Sequence, residues 1–239
     1  MKKNKYDFSI VVPVYNELKN LSPLTESIIE ELGSENLDYQ IIYVDDGSQD
    51  GSSKKIDELA SEIEILSAVH FKENNGQTAA FLAGFREAEG EYIITLDADL
   101  QVRPEDIFKM LPYLKEYDMV VGKRVNRNDG IVKKISSLVA NGVRNFITGE
   151  EITDTGCPLK IFKNEIHKEF YPFNGMHRFY PTLARMNKYR VKEVAVNHYP
   201  RKYGESKYGV NNRMWRGLLD TFVMRWMKKR IINYTIKRD

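Results

Sequence analysis

Two aspartates and a glutamine alternate within one short segment of the chain, Asp97-Ala98-Asp99-Leu100-Gln101. The strand-like residues 92–96 precede this segment, so the polar side chains come at the end of a predicted buried strand. Two carboxylates this close repel each other unless a cation lies between them or one of them stays protonated. Carboxylate and amide oxygens suit Mg²⁺ or Mn²⁺, and an extended segment would point alternate side chains to one side. The segment therefore predicts a divalent metal site, with a turn before the helix that Pro104 starts as the structural alternative.

Further polar clusters follow apolar segments earlier in the chain. The cluster "PVYNE" (13–17) follows residues 8–12, and "DDGSQD" (45–50) follows residues 39–44. Asp-Gly pairs often form only a turn or a helix cap. A carboxylate at the end of a strand can also accept hydrogen bonds from a ribose or a base. The helix predicted from Gln77 begins at Asn75-Gly76-Gln77, and such an N-terminus can face an anion.

Apolar strands and amphipathic helices alternate along the first half of the chain. Strands are predicted at 8–12, 39–44, 63–70, 92–96 and 119–121, and helices at 21–32, after the cap at 46–53, at 77–88 and from Pro104 onwards. This order predicts an α/β fold with a mostly parallel central sheet and helices on both faces. Such sheets bind ligands at the carboxyl ends of their strands, so the polar clusters are expected to converge on one rim.

The composition limits the class of protein. The chain has 239 residues, of which 42% are hydrophobic and 29% charged, so wholesale disorder is excluded. A single cysteine excludes a disulfide framework and a cysteine-rich zinc site, and it fits a reducing compartment. No secretory signal is visible, and no apolar run reaches the roughly 20 residues of a membrane span.

The C-terminal part of the chain is basic. Residues 201–239 hold eleven Lys and Arg against three Asp and Glu, although the whole chain carries a net charge of only +2. We divide the chain into a domain at 1–210 and a C-terminal amphipathic basic helix at 211–239. The predicted apolar stripe of this helix consists of Met214, Trp215, Leu218, Leu219, Phe222, Val223, Trp226 and Met227. Two interpretations stay open: the stripe packs on the domain, or it lies on an anionic membrane surface.

Several motifs occur together in the order and spacing of a known family. They are "SIVVPVYNELKNL", "IIYVDDGSQDGS", "NNGQTAAFLAGFREAEGEYIITLDADLQ", "DTGCPLKIF" and "HYPRKYGESKYG". With them the chain resembles family-two glycosyltransferases, in particular the polyprenyl-phosphate glycosyltransferases related to dolichol-phosphate mannose synthase. The resemblance implies a GT-A-like fold, a nucleotide-diphospho-sugar donor, Mg²⁺ or Mn²⁺, and inverting transfer to a polyprenyl phosphate. The segment "GMHRFYPTLA" is similar to bacterial members that use undecaprenyl phosphate, which favours a UDP-sugar.

The resemblance also implies a role for individual residues in each motif. The nucleotide would contact Pro13, Tyr15, Glu17, Asp45, Asp46, Gly76, Gln77, Asp97 and Ala98. The catalytic group would be Asp97, Asp99, Arg124 and Asp154, and the metal would be held by Asp99, its expected direct ligand, and Gln101. The acceptor or its phosphate would be bound by Lys134, Ser137, Arg178, Arg201, Ser206 and Lys207. Lys134 stands where the family often has an arginine, and a lysine keeps the charge but loses the bidentate fork.

A phosphate acceptor is already anionic near neutral pH, because its second pKa is about 6, and it needs positioning more than a general base. Asp154 is therefore expected to orient the sugar or the acceptor. The main alternative is a saccharide acceptor in polysaccharide synthesis, for which Asp154 would be the base. A non-catalytic scaffold that binds nucleic acid through the basic C-terminal part ranks lowest, and we expect no nucleic-acid partner. We expect a cytoplasmic protein, peripheral on the inner face of the cytoplasmic membrane, with a homo-oligomer or a membrane-protein partner left open.

Overall fold

The computed structural model of the protein describes residues 4–35, 37–125, 142, 152–201 and 210–232, and only the course of the backbone for residues 210–218. Its strands are β1 Tyr6–Val14, β2 Tyr39–Asp45, β3 Leu66–His70, β4 Gly90–Thr95, β5 Met119–Arg124, β6 Lys160–Lys163 and β7 Val191–Val196. Its α-helices in the described residues are α1 Leu18–Ser34, α2 Ser52–Glu62, α3 Gln77–Glu87, α4 Tyr180–Met186 and α5 Val210–Arg230. Four short 3₁₀ helices add to them, at Pro104–Lys109, Leu111–Lys115, Asn164–Glu169 and Met176–Phe179.

The strands form one seven-stranded sheet in the order β3-β2-β1-β4-β6-β5-β7. β1 pairs in parallel with β2 and β4, β2 with β3, and β5 with β7. Only β6 runs antiparallel to its neighbours β4 and β5 among the described strands. The prediction of a mostly parallel sheet is therefore confirmed.

Helices cover both faces of the sheet. On one face α1 and α2 bury Leu21, Ile28 and Ile56 against sheet residues that include Ile10 and Tyr43. On the other face α3 and α4 bury residues such as Phe85 and Leu183. Alternate residues of each strand supply the two cores, because successive side chains of a strand point to opposite faces.

Two elements differ from their predicted form. β3 begins at Leu66 rather than at residue 63, since Leu66 N–H donates to the Ile63 carbonyl and closes a turn there. The helix predicted from Pro104 is a pair of 3₁₀ helices. Pro112 lies in the second of them and lacks the N–H that a continuous α-helix would need.

α5 presents two different apolar faces. Thr221 and Met224 are buried, and Met227 and Ile231 pack against the core beneath them. The remaining described members of the predicted stripe, Leu219, Phe222, Val223 and Trp226, are between 49% and 66% exposed. The helix thus packs on the domain through one face, while most of the described stripe faces outwards. Among the residues described, no helix combines the length and apolar character needed to cross a bilayer.

Candidate active site

A cavity of about 430 Å³ opens where β1, β2, β4 and β5 end. Predicted site residues that line it are Pro13, Tyr15, Glu17, Asp46, Gln77, Asp97, Ala98, Asp99, Gln101, Arg124, Arg178 and Arg201. These residues come from segments far apart in the sequence. They meet because the carboxyl ends of parallel strands share one edge of the sheet.

Asp97 and Asp99 face this cavity together. Gln77 at the start of α3 donates its Nε2–H to Asp97 Oδ1 at 2.7 Å. Burial raises the pKa of Asp97 to about 7, and the charge of Asp99 adds to this effect. Lys160, Arg124 and Arg201 oppose the shift with their positive charges. Asp97 therefore gains or loses its proton near neutral pH, as expected for one of two crowded carboxylates.

The path of the backbone through this segment differs from the extended one predicted. β4 ends at Thr95, and Leu100 adopts a left-handed conformation with φ of 58°. Asp99 Oδ1 accepts the N–H of Gln101 at 3.1 Å, and the Gln101 carbonyl accepts the N–H of Tyr199 at 2.9 Å. The predicted gathering of the polar side chains thus comes from a turn rather than from strand alternation.

Arg201 places a positive charge directly beside Asp99. Its Nη2 donates to Asp99 Oδ2 at 2.7 Å, and its Nη1 lies 3.6 Å from Glu17 Oε1. Arg201 thereby joins the loop after β1 to the loop after β4. It also offsets part of the negative charge of the cavity.

Arg124 is held by Asp154 in a bidentate ion pair. The Nε and Nη2 groups of Arg124 each donate to a different oxygen of Asp154 at 2.8 Å. The backbone N–H of Arg124 also donates to Asp154 Oδ2, at 3.1 Å. Burial alone would lower the pKa of Arg124, but these bonds and the charge of Asp154 outweigh it and raise the pKa. Glu193 on β7 in turn accepts the backbone N–H of Asp154 at 2.8 Å. Asp154 thus holds the Arg124 guanidinium group in place, and its expected role in orienting the sugar or the acceptor stays a prediction.

Asp45 and Asp46, which are adjacent in sequence, have different surroundings. Asp46 accepts the N–H groups of Asn75 at 2.6 Å and of Gly76 at 2.9 Å. Burial raises the pKa of Asp46, and these two bonds oppose the shift. Asp45 accepts hydrogen bonds from Ser48 and Ser53 and lines a second cavity, of about 400 Å³.

Asp45 and Gly76, for which nucleotide contacts were expected, are not among the residues that line the first cavity, whereas Asp46 is. The Asp45 carboxylate supports the turn after β2, which was the structural alternative for it. Gly76 takes a positive φ of 89° and directs its N–H at Asp46. Lys134, Ser137, Ser206 and Lys207 lie outside the described residues.

Lys160 is a cavity residue that the sequence motifs did not single out. It is only 4% exposed, lies at the start of β6, and donates its Nζ–H to the Cys157 carbonyl. Burial lowers the pKa of Lys160, whereas the nearby acidic groups Asp97 and Asp154 raise it. A lysine within the apolar run "LKIF" was the available signal, because a charged residue in a buried strand needs a partner or a ligand.

The turn that contains His177 and Arg178 is tied to α3. His177 Nδ1 lies 2.8 Å from Thr78 Oγ1, and the same oxygen accepts the N–H of Gly175 at 3.0 Å. Arg178 lines the cavity and reaches α5, where its Nη2 donates to Asp220 Oδ2 at 3.2 Å. One side of the cavity is thus built from α3 and this turn, and α5 contacts that side from outside through Asp220.

The chain matches the model of the family described as "Glycosyl transferase family 2" over residues 9–171. It is 39% identical over 222 residues to a dodecaprenyl-phosphate galacturonate synthase of Rhizobium johnstonii, covering 90% of this chain and 65% of the relative. It is 38% identical over 202 residues to an undecaprenyl-phosphate 4-deoxy-4-formamido-L-arabinose transferase of Proteus mirabilis, covering 84% of this chain and 62% of the relative. The chain thus spans slightly less than two thirds of the length of these curated relatives.

Solved structures share the fold at low sequence identity. A glucosyl-3-phosphoglycerate synthase from Mycobacterium tuberculosis, in complex with Mn²⁺, UDP and glucosyl-3-phosphoglycerate, matches with a TM-score of 0.68 and 16% identity over 92% of this chain and 80% of its own. A mannosyltransferase from Pyrobaculum calidifontis, in complex with GDP-Man and Mn²⁺, matches with a TM-score of 0.63 and 17% identity over 96% of this chain and 66% of its own. These likenesses confirm the predicted GT-A-like fold. With the family model matching more than half of its length, the chain belongs to glycosyl transferase family 2.

Proposed function

We propose that this protein transfers a sugar, with inversion, from a nucleotide-diphospho-sugar to an undecaprenyl-type phosphate. The observation that carries the proposal is the cavity in which Asp97 and Asp99 meet the cations Arg124, Lys160 and Arg201. A paired carboxylate suits a metal-bound diphosphate, and the surrounding cations suit two substrates that both carry phosphate. The relatives named for transfer to dodecaprenyl and undecaprenyl phosphate support this acceptor.

The residues present fit a divalent metal ion. Within the described residues no group of three or more His, Cys, Asp or Glu side chains is placed to hold a metal by itself. Mg²⁺ at nucleotide sites is usually bound by one or two carboxylates together with substrate phosphates, so a full set of protein ligands is not required. Asp99, with Asp97 and Gln101 beside it, would hold Mg²⁺ or Mn²⁺. When bound, the ion would neutralise charge that develops on the leaving diphosphate.

The chain's own residues bind and orient the two substrates. Pro13, Tyr15 and the loop held by Asp46 form the end of the cavity proposed for the nucleotide, which we propose to be uridine. Arg124, fixed by Asp154, faces the phosphates with its orientation already set. Preorganised cations of this kind stabilise charge without rearranging during the reaction.

The engagement of Asp154 favours a phosphate acceptor over a saccharide acceptor. A saccharide hydroxyl needs a base, and both oxygens of Asp154 are bonded to Arg124. A lipid phosphate is ionised near neutral pH and needs no base, because its second pKa is about 6. Arg178 and Arg201, which line the same cavity, are proposed to bind it.

The exposed stripe of α5 is proposed to lie on an anionic membrane surface, at the inner face of the cytoplasmic membrane. Arg225, Lys229 and Arg230 lie on the exposed part of the same helix as Phe222 and Trp226. Apolar and aromatic side chains with cations beside them complement the acyl boundary and the negative headgroups of a bilayer. A lipid acceptor would then reach the cavity from the surface that the helix touches.

Turnover of purified protein tests the reaction. The assay contains undecaprenyl phosphate, Mg²⁺ or Mn²⁺, and a panel of UDP- and GDP-sugars, and it measures lipid-linked sugar. We expect product with a UDP-sugar, and its loss on chelation and in Asp99→Ala. Removing a preorganised electrostatic group typically costs about 100-fold to 1,000-fold in rate. Release of nucleoside diphosphate without any lipid-linked product would overturn the proposed acceptor while leaving the donor site standing.

A further inference from the structure

Asp220 on α5 contacts the cavity residue Arg178 from outside the cavity. Arg178 Nη2 donates to Asp220 Oδ2 at 3.2 Å, and Arg178 Nε donates to the Gly175 carbonyl at 3.4 Å. The side chains of Arg178 and Asp220 are 32% and 22% exposed, so the ion pair is largely shielded from water. Shielding of this degree makes an ion pair less sensitive to solvent screening than an open surface pair.

Gly175 provides the space in which the guanidinium group lies. This glycine has a φ of 92°, and a Cβ built on it would lie 2.5 Å from Arg178 Nη2 and 3.4 Å from Asp220 Oδ2. Any side chain at this position would push the guanidinium group away from the carboxylate. Arg178 is therefore held between a glycine backbone on one side and a helix carboxylate on the other.

The turn that carries Arg178 is itself connected to the donor side of the cavity. Gly175 N–H and the His177 ring both bond Thr78 Oγ1 at the start of α3. The neighbouring Gln77 donates to Asp97. A continuous series of contacts thus runs from Asp220 on α5 to the paired carboxylates.

We infer that Asp220 is a positioning residue that orients Arg178 towards the phosphate of the acceptor. The inference rests on the function proposed above. An arginine side chain loses substantial rotamer entropy when it is fixed, and an ion pair formed before binding removes this cost from the binding step. The Nε–H and an Nη2–H of Arg178 help to fix its guanidinium group, through Gly175 and Asp220.

The position of Asp220 on α5 links acceptor binding to the way in which this helix packs on the domain. Asp220 follows the exposed Leu219 and precedes the buried Thr221, so it lies at the border between the outward stripe and the packed face. Contact between the stripe and a bilayer would therefore steady the same helix that orients Arg178. Acceptor binding, rather than donor binding, is the step that depends on Asp220.

Steady-state kinetics of the full chain test this role, with undecaprenyl phosphate in detergent and the donor used by the wild type. Asp220→Asn keeps the size of the side chain and removes its charge. We expect it to raise the KM for the lipid phosphate about tenfold, because a neutral amide oxygen holds the guanidinium group less strongly than a carboxylate does. The KM for the donor and the melting temperature should stay near their wild-type values, and Asp220→Glu should recover part of the effect.

A double-mutant cycle with Arg178→Gln separates positioning from a structural role. If Asp220 acts through Arg178, Asp220→Asn adds no further rise in the acceptor KM once Arg178 is replaced. Asp118→Asn is the matched control, since it breaks an ion pair with Lys163 that lies away from the cavity. That variant should leave the acceptor KM unchanged.

Two results would overturn the inference alone: an active wild type whose acceptor KM is unaffected by Asp220→Asn, or an equal effect of that change with and without Arg178. A wild type that makes no lipid-linked sugar with any donor would instead overturn the proposed function, and this inference with it. The two failures are distinguished by the wild-type reaction itself.

Discussion

At the scale of single residues, Asp97 lowers the stability of the ligand-free protein, and a bound cation would reverse this effect. Its carboxyl group is partly buried in the cavity beside Asp99, and the resulting pKa of about 7 lies above its ordinary value of 3.8. Between these two values the folded protein holds a proton that the unfolded chain releases. Stability therefore falls as the pH rises from about 4 to about 7, and the loss is complete above the folded-state pKa. A bound cation would remove the repulsion and favour the ionised form.

Replacing this carboxylate should make the ligand-free protein more stable and less active. Asp97→Asn removes the titrating group, so its melting temperature should exceed that of the wild type by a margin that grows from pH 5 to pH 8. The measurement is a series of thermal melts in the presence of a chelator across this range. A margin that stays constant with pH would show that the Asp97 charge is not what destabilises the fold. Transfer activity of the variant should be lost at every pH.

The sequence located the paired carboxylates but not all of their surroundings. Asp97, Asp99 and Gln101 follow a predicted strand. Because parallel sheets bind ligands at the carboxyl ends of their strands, this position was sufficient to predict that the three residues line the cavity. Asp45 shows the limit of that rule, because its partners Ser53 and His70 are set by the turn and by a neighbouring strand. Bonds of this kind depend on distances between segments, which residue types and spacing do not encode.

At the scale of elements, β6 gives its two lysines opposite environments. Lys160 at its start is buried in the cavity wall, and Lys163 at its end forms an ion pair with Asp118 at 2.8 Å. Since β6 runs antiparallel to β4, its first residue lies at the same edge of the sheet as the end of β4. The strand therefore inserts a cation beside Asp97.

A matched pair of substitutions on β6 tests the role of this cation. Lys160→Met should lower kcat/KM on the order of 100-fold, as the loss of a preorganised charge does. Its melting temperature should stay equal or rise, because an apolar side chain of similar length avoids the cost of burying an ammonium group. Lys163→Met, on the same strand, should retain nearly full turnover. Full activity of Lys160→Met would show that the charge of Lys160 has no role in the reaction.

The elements themselves were largely predictable, and their directions less so. Alternation of apolar segments predicted the strands and helices of the first half and the parallel sheet they form. Nothing in that periodicity gives the reversed direction of β6, which depends on how the chain returns to the sheet after β5. The apolar stripe of α5 could be predicted from the helical spacing of its apolar residues, as the other helices could. The face that packs on the core could not be predicted, because the buried Met224 and the exposed Trp226 are both apolar.

At the scale of the whole molecule, α5 lies between the cavity and the surface that we propose to meet a membrane. The buried Met224 fixes the helix to the domain, and Trp226 on the same helix is 60% exposed. The cavity rim and the outward stripe are joined through Arg178 and Asp220. Attachment to a bilayer and access of a lipid phosphate would therefore use one surface of the protein.

Vesicle binding tests this surface. Trp226→Ser should weaken sedimentation with vesicles that contain an anionic phospholipid by roughly tenfold, given the apolar area of one large side chain. Tyr171→Ser is the matched control, since Tyr171 is also an aromatic residue with 60% exposure but lies on a different part of the chain. Binding should weaken as salt is added, because the basic side chains of α5 contribute to it. Equal binding of the wild type and the Trp226→Ser variant would exclude the stripe as the contact surface.

The buried position of Cys157 has a practical consequence for labelling experiments. This residue is the single cysteine of the chain, it is fully buried, and burial raises the pKa of its thiol to about 12. Alkylating reagents attack the thiolate, so the native cysteine should stay unmodified while the protein is folded. A cysteine introduced on the outward stripe of α5 would then accept a fluorophore selectively, without removal of the native one. Labelling of the native protein should therefore be minimal, so that the fluorescence of the labelled variant reports when this helix contacts a membrane.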